Sequence, residues 1–164
     1  MLRIIKILED TTVDGPGFRT AIYCSGCYHK CIGCHNPQSW DIDAGREMSI
    51  AEIMEKIKAD PFANVTFTGG DPIYQAEGFA LLAETIKKET TKDIWCYTGF
   101  LYEQLMNGKY TEKLLQNIDV LVDGPYIEEQ KDPDLLFRGS TNQRLIDVKR
   151  SLAAGEVVLW ERDF

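Results

Sequence analysis

Several features are missing from this sequence of 164 residues, and each absence excludes something. It has no apolar run approaching the roughly 18 residues that a membrane-spanning helix needs, and no internal repeat, low-complexity tract or evident linker. We therefore predict one domain over residues 1–164 and no membrane partner. The N-terminal segment carries Arg3 and Lys6 within an apolar stretch and has no small-residue cleavage site. It predicts a strand and a cytoplasmic protein rather than a secretory signal.

Basic residues are also few. Lysine and arginine number 18 against 26 aspartates and glutamates, which gives a net charge of −8. Because nucleic-acid backbones and anionic membranes would repel such a chain, we expect neither as a partner. There are two histidines, His29 and His35, and two histidines cannot form a metal-binding triad on their own. His29 is expected to be a solvated loop residue.

The sequence does contain an alternation of strand and helix patterns. β-Branched and aromatic residues predict strands at 3–9, 18–24, 64–68, 93–97, 118–122 and 156–160. Helices are predicted from Ser49, which forms a capping box with Glu52, over 76–89, and in one or two short pieces before Gln116. Strands alternating with helices imply an α/β fold with a mainly parallel sheet. Glycine-containing turns follow these strands, at the edge where such folds bind their ligands.

Cysteine is the most unevenly distributed residue type, since four of the five cysteines fall within residues 24–34. In a reducing compartment disulfides are rare, so this crowding indicates metal. Buried unligated thiols are one alternative, and a structural zinc site is another, although zinc sites usually separate two C-x2-C pairs by a longer spacer. An iron–sulfur cluster is the third, because closely spaced cysteines in loops bind cubane clusters. The spacing alone leaves open whether three or four cysteines are ligands.

Cys27, Cys31 and Cys34 match a known pattern. Their C-x3-C-x2-C spacing resembles the signature of radical S-adenosylmethionine enzymes, in which three cysteines hold a [4Fe–4S] cluster. The fourth iron of that cluster binds the amino and carboxylate groups of S-adenosylmethionine. The resemblance implies that these three cysteines are the cluster ligands and that Cys24 is structural.

Residues 69–72 (Gly-Gly-Asp-Pro) resemble the Gly-Gly-Glu-Pro motif that binds the methionine amino group in these enzymes, with Asp71 replacing the commoner glutamate. Glycines let a backbone approach a ligand closely and expose its carbonyls. Residues 14–17 (Asp-Gly-Pro-Gly) look like the activating enzymes of glycyl-radical proteins. Three further segments resemble one branch of these enzymes, the activating proteins of anaerobic ribonucleoside-triphosphate reductase. They are 95–99 (WCYTG), 119–124 (DVLVDG) and 138–144 (RGSTNQR).

The resemblance implies a fold and an activity. A complete (β/α)8 barrel takes ~250 residues, so the implied fold is a partial, open (β/α) barrel. The implied enzyme is an oxidoreductase whose reduced cluster cleaves S-adenosylmethionine, so that a hydrogen atom is taken from a glycine of the reductase. Flavodoxin or ferredoxin is the implied electron donor. An activator of another glycyl-radical enzyme and an iron–sulfur electron carrier remain alternatives.

Site residues are also implied by the resemblance. Gly33, Cys34 and His35 are expected to line the cofactor, and Gly69 and Gly70 to hold its methionine end. Gly33 stands where many radical enzymes have an aromatic residue against the adenine.

Each of four polar residues has two possible interpretations. Asp123 could touch the cofactor or the glycine loop, or it could be a turn residue. Arg138, Asn142 and Gln143 could dock the reductase or serve as structural hydrogen-bonding groups.

Overall fold

The computed structural model describes residues 1–161, in which seven strands form one sheet. The strands are β1 (Leu2–Thr11), β2 (Arg19–Cys24), β3 (Arg46–Met48), β4 (Asn64–Gly69), β5 (Ile94–Tyr97), β6 (Val120–Asp123) and β7 (Arg144–Asp147). Their order across the sheet is β3-β1-β2-β4-β5-β6-β7. The central strands β2, β4, β5 and β6 are parallel neighbours, whereas β1, β3 and β7 pair antiparallel at the two sides. This open sheet confirms the predicted α/β fold and suits a partial barrel.

Five α-helices accompany the strands within residues 1–161. They are α1 (Ile50–Ala59), α2 (Ala76–Glu89), α3 (Tyr102–Leu105), α4 (Lys109–Gln116) and α5 (Val148–Ala154). The predicted cap of α1 is present, since the Ser49 hydroxyl accepts a hydrogen bond of 3.1 Å from the backbone N–H of Glu52. In the part of the chain described, no helix combines the length and the apolar character needed to cross a membrane.

Both faces of the central strands are covered by packed side chains. On one face, Phe67 of β4 meets Phe79 of α2 with ring centroids 4.9 Å apart, and both rings are fully buried. Successive strand residues point to opposite faces, and Trp95 belongs to a second, smaller cluster. The buried Arg19 lies against this cluster, 5.7 Å from the Trp95 ring, and donates to the Thr66 hydroxyl at 2.8 Å. The packed faces hold the C-terminal ends of the parallel strands in place.

Three segments of the chain depart from the predicted elements. The strands β3 and β7 have no counterpart among the predictions, and the strand predicted at 156–160 is wrong. That segment forms only an isolated bridge between Ile146 and Leu159. The N–H of Val158 donates to the Ser151 hydroxyl at 2.8 Å, so this backbone group bonds to α5 instead of extending a strand ladder.

Candidate active site

A cavity of about 410 Å³ opens at the C-terminal ends of the parallel strands. It is bordered by the β1–β2 connection, the cysteine loop, the turns after β4 and β5, and the long β6–β7 connection. Six of the seven predicted site residues line it, namely Cys27, Cys31, Cys34, His35, Gly69 and Gly70. Gly33 is not among the lining residues. The structure therefore brings together two motifs that lie more than thirty positions apart in the sequence.

The cysteines fall into two groups. All five are free thiols, but Cys24 and Cys96 are buried, whereas the three that line the cavity are half-buried. Burial raises the pKa of the Cys27 thiol to about 11, so this thiol keeps its proton unless a nearby cation compensates the negative charge. Within residues 1–161, no three His, Cys, Asp or Glu side chains are arranged to hold a single metal ion. The three half-buried thiols line one shared cavity.

The cysteine loop is held at its base by backbone hydrogen bonds. The N–H of Gly26 donates to the carbonyl of Ser39 at 2.7 Å, and that of Cys27 donates to the carbonyl of Trp40 at 3.1 Å. Further along, the N–H of Asn36 lies 3.4 Å from the Cys34 sulfur. Backbone N–H groups that face cysteine sulfurs are a common feature of iron–sulfur sites and help to set their potentials.

Gly69 and Gly70 pack directly on the start of the cysteine loop. Gly69 has a φ of +108°, and a Cβ at this position would lie 2.5 Å from the backbone nitrogen of Cys24. A Cβ on Gly70 would lie 2.6 Å from the carbonyl oxygen of Gly26. Since any side chain would push the two segments apart, glycine is needed here for the close approach of backbone to backbone. The turn after β4 and the cluster loop form one packed unit.

His29 is not a solvated residue, so that expectation was wrong. Its side chain is 18 % exposed, and its Nε2 atom lies 2.7 Å from Oδ2 of Asp71. The ring also packs edge-on against Phe100, with centroids 4.6 Å apart. The physical reason is that the cysteine loop folds back over the turns after β4 and β5, which brings His29 under cover.

Gly33 and His35 lie next to the β6–β7 connection. Gly33 has a φ of +81°, and a Cβ there would overlap the Glu128 carboxylate and lie 3.1 Å from the ring of Tyr126. The Tyr126 ring lies 5.3 Å from the His35 ring, and its hydroxyl donates to Glu128 at 2.6 Å. The space that a side chain at position 33 would need is thus filled from the β6–β7 connection. Contact of Gly33 with a cofactor stays a prediction.

Asp123 is committed to the fold and does not line the cavity. It is 0 % exposed, and its two oxygens accept hydrogen bonds from Arg144 at 3.0 and 2.5 Å. Oδ2 also accepts from the backbone N–H of Tyr102 at 2.9 Å. Neither oxygen is left for a cofactor or a glycine loop.

Arg138, Asn142 and Gln143 make structural hydrogen bonds within the β6–β7 connection. Arg138 donates to the carbonyl of Gln143 at 2.5 Å, Asn142 to that of Pro125 at 2.7 Å, and Gln143 to that of Gly124 at 3.1 Å. Arg138 and Gln143 also line the cavity. The structural interpretation of these three residues therefore has direct support.

Three aromatic residues of the cavity wall were missing from the predicted site, namely Tyr97, Tyr126 and Phe137. Tyr97 ends β5, and the rule that ligands bind at strand ends could have identified it. Its hydroxyl donates to the carbonyl of Phe137 at 2.7 Å. Tyr126 and Phe137 lie in a long connection without periodicity, and no signal in the sequence marked them.

Comparison with known proteins agrees with this geometry. Residues 13–146 match the family of 4Fe-4S single cluster domains. That range contains every residue that lines the cavity, from Val13 to Gln143.

The chain is also similar to proteins that carry the name anaerobic ribonucleoside-triphosphate reductase-activating protein. The protein of this name from Vibrio cholerae serotype O1 is 40 % identical over 140 residues, which are 80 % of this chain and 88 % of that protein. The Haemophilus influenzae protein is 37 % identical over 150 residues, or 87 % and 96 % of the two chains. The protein of bacteriophage T4 is 36 % identical over 139 residues, or 81 % and 86 %.

Proposed function

We infer the function of this chain from the family to which it belongs, the anaerobic ribonucleoside-triphosphate reductase-activating proteins, which share a 4Fe-4S single cluster domain. It is a radical S-adenosylmethionine enzyme that activates an anaerobic ribonucleoside-triphosphate reductase. The observation that supports this most directly is that Cys27, Cys31 and Cys34 line the same cavity as the Gly69-Gly70 turn. We propose below what each part of the cavity does.

Cys27, Cys31 and Cys34 would hold the cluster. They are free thiols on the cavity wall, and thiolates are the ligands that iron–sulfur clusters take from proteins. Three ligands leave one iron open, as a catalytic metal site requires. When bound, the reduced cluster supplies one electron for cleavage of S-adenosylmethionine, which leads to a radical on a glycine of the reductase. An electron carrier would need Cys24 as a fourth ligand, and Cys24 is buried outside the cavity wall.

S-Adenosylmethionine would occupy the remainder of the cavity. The volume of the cavity, about 410 Å³, lies within the ~300–1,000 Å³ typical of small-molecule sites. The exposed backbone of Gly69 and Gly70 is suited to the ammonium group of the methionine end. The paired rings of His35 and Tyr126 offer an aromatic wall for the adenine. Thus the aromatic contact that Gly33 lacks would come from Tyr126.

This assignment predicts a selective loss of cofactor affinity in Tyr126→Leu. Because stacking of a base on an aromatic ring is worth ~1–3 kcal/mol, we expect the dissociation constant for S-adenosylmethionine to rise roughly 10-fold. Tyr126→Phe keeps the ring and should bind as the wild type does. Equilibrium dialysis against cluster-loaded protein measures the dissociation constants of both variants. Methionine, which lacks the adenine, serves as the control ligand. Equal affinity of the leucine variant would remove Tyr126 from the site.

The reductase would present a short loop at the mouth of this cavity instead of a folded surface, because a cavity of about 410 Å³ is of small-molecule size. We propose that the electron comes from a flavodoxin or a ferredoxin, as the family implies. We further propose a cytoplasmic location, because all five cysteines are free thiols, which suits a reducing compartment.

The activity has a direct test. The protein is reconstituted with iron and sulfide under anaerobic conditions, then reduced and mixed with S-adenosylmethionine and an anaerobic ribonucleoside-triphosphate reductase. We expect a glycyl radical signal in electron paramagnetic resonance that requires all components. A second glycyl-radical enzyme, such as pyruvate formate-lyase, serves as the specificity control. A signal on that enzyme and none on the reductase would reassign the partner.

A further inference from the structure

Asp71 has a buried carboxylate at the cavity wall, and both of its oxygens accept hydrogen bonds from groups of the protein. The residue is 1 % exposed. Its Oδ2 accepts hydrogen bonds from His29 Nε2 at 2.7 Å, from the Thr98 hydroxyl at 2.9 Å and from the N–H of Gly99 at 2.9 Å. Its Oδ1 accepts from the N–H of Ile73 at 3.0 Å. Since an ionised carboxylate only accepts hydrogen bonds, Nε2 of His29 carries the proton in this pair.

The His29 ring fits a slot that is shaped for it. Phe100 and Tyr74 lie beside it, with centroids 4.6 and 5.6 Å from the centroid of the His29 ring. Gly99 forms another part of the slot, because a Cβ at that position would lie 2.7 Å from Cδ2 of His29. Hydrogen bonding and packing therefore hold the same ring in one orientation.

The two partners belong to the two halves of the site. His29 lies between Cys27 and Cys31 in the cysteine loop, and Asp71 directly follows the Gly69-Gly70 turn. We propose that His29 and Asp71 are positioning residues, whose hydrogen bond fixes the cysteines relative to the turn that holds S-adenosylmethionine. This inference rests on the proposed function of the cavity and assigns roles that the cysteine and glycine motifs alone do not give.

Two physical arguments support this role. A hydrogen bond to a charged group in a buried setting is stronger than one between neutral groups. Asp71 accepts one such hydrogen bond from the cysteine loop and two from the turn after β5. Hydrogen-bonding partners outside the ligand shell typically change metal affinity or activity by 10–100-fold when they are lost. A single carboxylate thus connects the cluster loop, the cofactor turn and β5.

The first test uses the protein without its cluster. Lys30 is exposed and adjacent to His29, so the rate of tryptic cleavage after Lys30 reports how often the loop opens. In His29→Phe, which keeps a ring but loses the hydrogen bond, we expect cleavage about tenfold faster. His29→Gln retains an N–H donor and should restore most of the protection. Cleavage after Lys92, which is only 7 % exposed, is the internal reference for global unfolding.

Ile32→Ala is the matched control, because Ile32 is an 81 % exposed side chain of the same loop. It should be cleaved after Lys30 at the wild-type rate. If His29→Phe is also cleaved at the wild-type rate, the proposed clamp does not exist. The proposal is also overturned if His29→Gln and His29→Phe are cleaved after Lys30 at the same rate.

The second test uses the cluster-loaded protein. We expect Asp71→Asn to lose iron to a chelator about 10–100-fold faster, and to shift the cluster potential to less negative values because one negative charge is removed. The double variant with His29→Phe should lose iron no faster than Asp71→Asn alone, because the change at His29 acts through its hydrogen bond to Asp71. Additive rates, or an unchanged potential, would contradict the clamp. Failure of the wild type to hold a cluster would instead contradict the proposed function.

Discussion

Alanine in place of Cys27, Cys31 or Cys34 is expected to leave a folded protein that cannot keep its cluster. Each variant removes one of three thiolates from a cubane that has no spare protein ligand, so the iron content should fall from about four atoms per chain to a small fraction of that. The characteristic visible absorption should disappear with it, and the glycyl radical signal on the reductase should be lost. Iron and sulfide analysis after anaerobic reconstitution, together with the absorption spectrum, measures this result.

Cys24→Ala is the control for these three variants. Cys24 is 0 % exposed. It contacts the site through its backbone, because its carbonyl accepts a hydrogen bond of 2.8 Å from the N–H of Gly70. Removing a buried sulfur atom should cost about 1 kcal/mol of stability and leave iron binding unchanged. Loss of the cluster in this variant would make Cys24 a fourth ligand, and the protein would then be an electron carrier with every iron closed.

The parts of this site that the sequence predicted are those encoded within a few neighbouring residues. The cysteine loop and the Gly69-Gly70 turn are local motifs, and the alternation of strands and helices brings strand ends to one edge. Both therefore reached the same cavity, as expected. The helix that follows Ser49 is also a local prediction, because its cap involves residues three positions apart.

The parts that were missed depend on contacts between distant loops. The hydrogen bond between His29 and Asp71 spans 42 positions, and no periodicity in either segment indicates it. The same holds for Tyr126, which reaches the cysteine loop from the long β6–β7 connection. Apolar content misled the prediction at 156–160 for a related reason, because only the three-dimensional structure shows that the N–H of Val158 bonds to Ser151.

A substitution at Arg144 is expected to have a large effect on stability. Arg144→Met keeps much of the side-chain volume but leaves the Asp123 carboxylate fully buried with one backbone donor, the N–H of Tyr102. Removing one partner of a buried ion pair typically costs ~3–5 kcal/mol, because the remaining charge is uncompensated. We expect a decrease of that size in the free energy of unfolding, measured by urea denaturation.

Glu103→Gln is the control, because it removes the exposed ion pair of Arg144 with Glu103 and leaves the pair of Arg144 with Asp123 in place. Glu103 accepts hydrogen bonds from Arg144 at 3.1 and 2.8 Å, but its side chain is 58 % exposed, so its loss should cost less than about 1 kcal/mol. Adding Asp123→Asn to Arg144→Met should recover part of the stability, because the buried charge is then gone. If Arg144→Met costs no more than Glu103→Gln, the carboxylate of Asp123 does not need its arginine. The structural role assigned here to the ion pair between Asp123 and Arg144 would then be wrong.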